Sequence, residues 1–409
     1  MDILIGYEST LDYWRPVGPN YLRGYDARQA ATRRARRALA SSERPTLSEG
    51  NRRPAGCTLP LCTLVGSVDV RTRTPAVLSS FCSVLPERSF VDAGEGFLMS
   101  TPEFCFLQMA NRLSLARLIM LGYELCGTYV LVDKGPAPRR DAPLTTVAKL
   151  RTFVEGASNA RGRKKALRAL RYVLDRSASP MESALAMLLC LPYGLGGYGL
   201  PEPRLNYHVD VPPSFRAMAD RKHCVCDLCW PESKLAAEYD SELHHADPER
   251  RESDARRRST LITLGFTVVT VSKGQVMDSG AFNRLAHQLA KRLGKRLRYV
   301  DPGFTRAHLE LRAELFEAMK RSQMVFSCSG SSGPGVSGCS IAAVVMTNCT
   351  ASTLAFCGDT NDTGSNFGKS NSAVMSAICR FIVSGSVMVD ALSWFMPLLS
   401  SPAPPASWP

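Results

Sequence analysis

The residues best suited to chemistry lie close together: Asp227 in Asp227-Leu228-Cys229-Trp230-Pro231, then Glu238 and Asp240 in Leu235-Ala236-Ala237-Glu238-Tyr239-Asp240, then His244-His245. Cys224 to Trp230 and Leu235 to Asp240 read as two strands flanking a Pro231-Glu232-Ser233-Lys234 turn. Asp227 then stands on one strand and Glu238 on the next, and the two-residue period points Glu238 and Asp240 to one face. Carboxylates that close repel in a partly buried site, so a divalent cation, bound protons or a basic neighbour must compensate. Mg²⁺, or another divalent cation such as Mn²⁺, is the economical choice, because it takes oxygen ligands, keeps several waters and bridges to phosphate. Held by Asp227 and Glu238, it would activate a water and neutralise charge on a scissile phosphate, so the expected reaction is phosphodiester hydrolysis.

Each of these residues also has a plainer reading. Asp227 can simply begin a turn. His244 and His245 follow a strand end, where surface histidines are common. Asp254 and Arg258, four apart on a helix, can form an exposed ion pair. The cluster Arg250, Arg251, Arg256, Arg257 and Arg258 can face solvent or phosphates, and Arg250, Arg257 and Arg258 are taken as nucleic-acid contacts. Ser179-x-x-Glu182 is a capping box, in which Glu182 would satisfy the backbone N–H of Ser179. His223, Cys224, Cys226 and Cys229 invite zinc. Strand alternation would turn Cys224 and Cys226 away from Cys229, and no second cysteine pair follows, which disfavours that ion.

The same segment resembles the PD-(D/E)xK nucleases, most closely a branch of unknown function related to the very-short-patch-repair (Vsr) endonucleases. The resemblance rests on five ordered features: Asp227, LAAEYDS from Leu235 to Ser241, His244-His245, Asp254 with Arg257-Arg258, and Gly265-Phe266-Thr267-Val268. It implies an α/β, restriction-endonuclease-like core of a helix, a mixed sheet and further helices over residues 177–300. It also implies Asp227 and Glu238 as metal ligands and Glu182, on the preceding helix, as the acid completing the site. Where the family carries Lys two residues after the Glu, this chain has Asp240. The resemblance therefore implies either chemistry delegated to His244, His245 or a nearby Lys, or a weak site. A slighter resemblance, through SFVDAGEGFLMSTPEFCFLQMANRLSL, is to AbiEi-type abortive-infection and toxin proteins, which implies a bacterial defence or mobile-element setting.

Several elements must position these groups. Arg23 to Ser41 reads as a basic helix, with Ser42 to Pro54 as a linker. Residues 57–98 read as short strands, and Thr101-Pro102-Glu103 starts a broken helical pair ending near Cys126. Residues 135–165 read as a linker into a basic helix near 162–176. Next come a helix from Ser179 to Leu191, the hairpin, a helix from Pro248 to Leu264 capped by Asp247, a strand from Phe266 to Ser272, and a helix from about Ala281 to Leu293. The expected divisions are a basic segment and linker (1–54), a small α+β domain (55–134), a linker and basic helix (135–176), the nuclease-like domain (177–300), a helix (301–323) and a tail (324–409).

The totals fit that plan. A chain of 409 residues, 45% hydrophobic and 21% charged, can bury a core over most of its length. Its formal charge of +13 favours an acidic partner, here DNA, with a protein partner through the N-terminal region as a further expectation. Fourteen scattered Cys and a start lacking a signal-peptide pattern point to the reducing cytoplasm. Past about Gln323 charged residues almost vanish, and the tail reads as disordered or as a reading-frame artefact. Arg380 and Asp390 interrupt its most apolar window, so no membrane span is expected. The alternative functions are a catalytically weak nucleic-acid-binding protein, suggested by Asp240, and a toxin–antitoxin component acting through protein partners.

Overall fold

The computed structural model describes residues 2–19, 24–47, 53–131, 138–216, 222–240 and 248–323. The tail at 324–409, together with His244, His245 and Asp247, lies outside the described residues. The described part is mixed α/β, with two mixed sheets and eleven α-helices.

The first sheet has the order β3-β2-β1-β5-β4, from strands β1 (Ile3–Ile5), β2 (Leu61–Val65), β3 (Val77–Phe81), β4 (Phe90–Gly94) and β5 (Phe97–Ser100). β1 runs parallel to β5 and antiparallel to β2. Residues 1–54 are therefore no separate basic segment, since they supply the central strand. They also supply helices α1 (Tyr7–Val17) and α2 (Tyr25–Leu39). α2 is not merely a solvated basic helix: Ala31, Thr32 and Ala35 are buried, and Arg34 pairs with Asp2 and Asp92.

Thr101 caps α3 (Pro102–Met109) as its sequence predicts, its side-chain oxygen accepting the N–H of Phe104 at 3.3 Å, and α4 (Leu115–Cys126) follows. The stretch expected as a linker instead contains α5 (Val147–Gly156), capped by Thr146, and the basic helix is the shorter α6 (Arg163–Ala169).

The second sheet has the order β6-β7-β8-β9. β6 (Arg204–Asp210), β7 (His223–Trp230) and β8 (Leu235–Asp240) form an antiparallel meander, and β9 (Thr267–Ser272) lies parallel to β8. A parallel partner requires a crossover, here α8 (Pro248–Thr263). α7 (Pro180–Cys190) precedes the meander, and α9 (Lys273–Met277), α10 (Ser279–Arg292) and α11 (Gly303–Gln323) follow the sheet.

Leu228, Trp230, Leu235, Ala237, Val269 and Val271 pack into a large core shared with α4, α7, α10 and α11. Cys224, Cys226, Cys229, Ala236 and Leu261 form a smaller cluster on the other face, under α8. One continuous core thus crosses the boundaries expected near residues 134 and 176, so the described elements share their hydrophobic stabilisation.

Strict alternation fails at one place in the second sheet. Cys224 and Cys226 join the smaller cluster, yet Leu228 and Trp230 join the large core and Cys229 returns to the smaller one. β6 changes face at the same level, with Leu205 in the large core and Val209 in the smaller cluster. Between them Asn206, next to the level of Asp227, has φ +44°, in the left-handed region that Asn tolerates better than most residues. The expectation that Cys224 and Cys226 face away from Cys229 is therefore wrong. All three share one cluster.

Candidate functional site: a buried carboxylate cluster

β7 and β8 pair Leu228 with Ala237 as the last recorded pair, and Asp227 and Glu238 are the next residues along the two strands. The Asp227 carboxylate also accepts the backbone N–H of Tyr239 at 2.9 Å, which fixes it against the start of β8's exposed end. Glu238 is buried at 6% exposure and Asp240 is partly exposed.

Glu182 reaches the cluster from the first turn of α7. Ser179 caps that helix by accepting the N–H of Glu182 at 3.1 Å. The reciprocal half of the expected capping box is different: the Glu182 carboxylate accepts from Ala178 N–H at 2.9 Å, one residue before the cap. The same oxygen accepts the Asn206 amide at 2.6 Å, and that amide also donates to Arg176 O at 2.9 Å. Glu182 therefore caps its helix and belongs to the cluster at once. Asn206, not singled out in the sequence, ties α7 to β6. Nothing in the sequence marks it out, since it takes an ordinary polar position in the alternation of Leu205, Tyr207 and Val209.

Burial pushes Glu182 up to about 7, and the neighbouring Asp227 charge adds to the rise. Burial likewise pushes Glu238 up to about 7, opposed by Arg257 and reinforced by Asp227. Asp227 is raised by burial, against the lowering effects of the Tyr239 N–H and Arg257. Asp227 is thus the member whose charge is felt by both glutamates. Withdrawing the charged forms from water costs more than the available hydrogen bonds return.

Arg257, on α8, supplies the compensating charge. It donates to Glu238 at 2.7 Å and lies 3.3 Å from Asp254. The expected Asp254–Arg258 pair is replaced by this Asp254–Arg257 pair, one residue closer along the helix. Arg258 is exposed, and its charge also acts on Glu238. α8 carries Arg250, whose side chain lies outside the described residues. Lys234 donates to Leu264 O at 3.2 Å, at the turn end of the hairpin. Oε1 of Glu238 is buried with no hydrogen-bond partner among the described residues. Buried acceptors left this way are costly, and they are expected where a ligand completes the shell.

Among the described residues, no group of three or more His, Cys, Asp or Glu side chains is disposed to hold a metal ion. That statement covers His223, Cys224, Cys226 and Cys229; His223 is exposed and stacks on His208, with ring centroids 4.7 Å apart. It also means that Glu182, Asp227 and Glu238 do not present a preformed three-ligand cage.

Comparisons with known proteins add little about activity. No family model matches the chain, and no solved structure does. Two curated relatives, uncharacterised proteins from the CDC 1551 and H37Rv strains of Mycobacterium tuberculosis, are each 30% identical over 161 residues. Each match covers 38% of this chain and 53% of the relative, so the chain spans about half the length of the curated relatives it matches. No helix among the described residues is long and apolar enough to cross a membrane.

Proposed function

We propose that this chain is a metal-dependent endonuclease, a hydrolase of DNA phosphodiester bonds with a restriction-endonuclease-like core, in which Asp227 and Glu238 hold Mg²⁺ or a similar divalent cation. The observation that carries the reading is the pair of buried acids Asp227 and Glu238 on neighbouring strands, with Oε1 of Glu238 buried and without a hydrogen-bond partner among the described residues, and Glu182 near enough to feel the Asp227 charge. The order helix, three-strand meander, helix, parallel strand supports the same core.

The donor set fits a hard cation. Mg²⁺ commonly takes only one or two protein carboxylates and fills its other positions with water and substrate phosphate, so two acids suffice. When bound, the ion would activate a water and offset charge developing on the phosphate. The chain's own groups do the rest. Asp227 is oriented by the N–H of Tyr239 and Glu238 by Arg257. Glu182, fixed by Ala178 and Asn206, keeps the field around Asp227 negative. With Asp240 standing where the resembled family has Lys, the cation that pairs with Glu238 is Arg257. A guanidinium cannot act as a base, but it can stabilise an anionic oxygen.

The curated relatives are uncharacterised mycobacterial proteins, and a bacterial defence or mobile-element setting, with cytoplasmic DNA as the partner, is part of the proposal. The test is incubation of the full chain with supercoiled plasmid and Mg²⁺, alongside Asp227→Ala and Glu238→Ala. The expected result is nicking by the parent chain and loss of at least about a hundredfold in either variant. Nicking that persists in both overturns the assignment. Salt-sensitive DNA binding without nicking favours the catalytically weak binding protein suggested by Asp240. If neither DNA effect occurs, the toxin–antitoxin reading through protein partners gains instead.

A further inference from the structure

The chain that leaves α10 forms a basic strap on the surface, and its course is fixed at several points. Gly294 ends the helix with φ +63°, a conformation glycine adopts without strain, and Lys295 N–H turns back to Ala290 O at 2.8 Å. Lys295 Nζ donates to Gly199 O and Arg298 N–H to the Tyr193 hydroxyl at 3.0 Å, which ties the strap to the segment between α7 and β6. The Tyr299 ring stacks on Phe304 with centroids 4.1 Å apart, and its hydroxyl donates to Asn283 of α10 at 3.0 Å.

From Lys295 to Val300 the strap has no helical turn, and exposure alternates along it as in an extended chain. Leu297 and Tyr299 pack against the large core, whereas Arg296 and Arg298 are exposed. Two-residue spacing in an extended chain sets these two arginines on one side, about 6.6 Å apart. Beside them His287, Lys291, Lys295 and Arg296 line an open depression of about 630 Å³ floored by Ala290 and Leu297. Lys291 and Arg292 have a local task, since cations in the last turn offset the negative end of the α10 dipole. Arg296 and Arg298 serve no helix end. Among the described residues no carboxylate lies within ion-pair distance of these four cations. The next acid along the chain, Asp301, accepts the hydroxyl of Thr305.

Cations held at fixed spacing with no acid to neutralise them present a repeating positive charge, and a polymer charged on every unit is the ligand that engages them together. We infer that this strap binds the phosphate backbone of a nucleic acid, with Arg296 and Arg298 each taking a phosphate and Lys291 and Arg292 extending the contact. The choice of nucleic acid among polyanions rests on the nuclease reading. The inference goes further by placing a nucleic-acid contact on α10 and the strap after it. α10 packs into the large core, on the opposite side of the second sheet from α8 and its arginines.

The experiment measures fluorescence anisotropy of a labelled DNA duplex with the full chain in Ca²⁺ over a range of NaCl, and nicking of supercoiled plasmid in Mg²⁺. The chains are the parent, the double variant Arg296→Ala with Arg298→Ala, the double variant Arg296→Lys with Arg298→Lys, and a control, Arg33→Ala with Lys149→Ala. The control removes two exposed charges from α2 and α5. Loss of both strap arginines should weaken binding at least about tenfold and make the slope of log K against log salt shallower by about 1.8, two phosphates' worth at about 0.9 each. The lysine pair and the control should keep the parent's slope. All chains should melt together, since every replaced side chain is exposed. Flattening confined to the strap alanines in a chain that does not nick plasmid supports the contact and removes the nuclease reading. An unchanged slope in the strap alanines, or equal flattening in the control, overturns the contact even where plasmid is nicked. Failure of the parent chain to bind the duplex overturns it as well.

Discussion

Arg257 donates to Glu238 across 2.7 Å, and the glutamate side chain it holds keeps only 8% of its exposure while the arginine keeps 28%. Breaking one side of such a pair leaves a buried charge, which is worse than losing both partners. Arg257→Met should therefore lower stability at pH 8 by about 3 kcal/mol, the lower end of the cost of removing one partner of a buried pair. Adding Glu238→Gln should recover much of that loss, because it removes the stranded charge. Urea unfolding of the two single variants and the double variant measures this. Simple additivity would show that the pair carries no coupling.

The pH dependence follows from Glu182 and Glu238, both raised to about 7 from an ordinary 4.5. A carboxyl that binds its proton more tightly when folded contributes stability that is fully present below about 4.5. That contribution is lost as pH rises towards about 7 and is flat beyond. The parent chain without divalent cations should therefore lose stability relative to Glu238→Gln over that window. Mg²⁺ should reverse the trend, raising Tm more at pH 8 than at pH 6 and releasing protons as it binds. Parallel melting curves against pH for the two chains would contradict the buried-acid account.

Asn206 combines a left-handed backbone with two donated hydrogen bonds, to Glu182 and to Arg176 O. Asn206→Gly keeps the backbone and loses the bonds, so it should cost about 1 kcal/mol. Asn206→Ala loses the bonds and adds strain, so it should cost about 1 kcal/mol more. Both should reduce Mg²⁺-dependent nicking, because Glu182 loses its tie to β6. Equal stability of Asn206→Gly and Asn206→Ala would remove the backbone argument.

Much of the local structure was legible because its signals are local. The β7–β8 hairpin followed from two apolar runs around Pro231-Glu232-Ser233-Lys234, and the starts of α3 and α7 followed from Thr101-Pro102 and Ser179-Pro180. β1 was not legible, since Ile3–Ile5 gains its meaning only by pairing with β5 and β2, more than fifty residues away. β6 does alternate Leu205, Tyr207 and Val209, and that pattern was there to read. The change of face at Asn206 was not, and it misdirected the reading of Cys224, Cys226 and Cys229. At the candidate site, the spacing of Asp227 and Glu238 was informative, whereas the Arg257–Glu238 and Asn206–Glu182 contacts arise from tertiary packing. α5 was hidden in a stretch whose Pro and Gly suggested a linker.

The central claim is that Asp227 and Glu238 together hold one divalent cation, and titration of Mn²⁺ into the full chain at pH 8 by calorimetry tests it most directly. The account predicts one site in the parent chain, with affinity reduced at least about tenfold in Asp227→Ala and again in Glu238→Ala. Parent-like Mn²⁺ affinity in both variants, or no binding by the parent chain with DNA present, would contradict it.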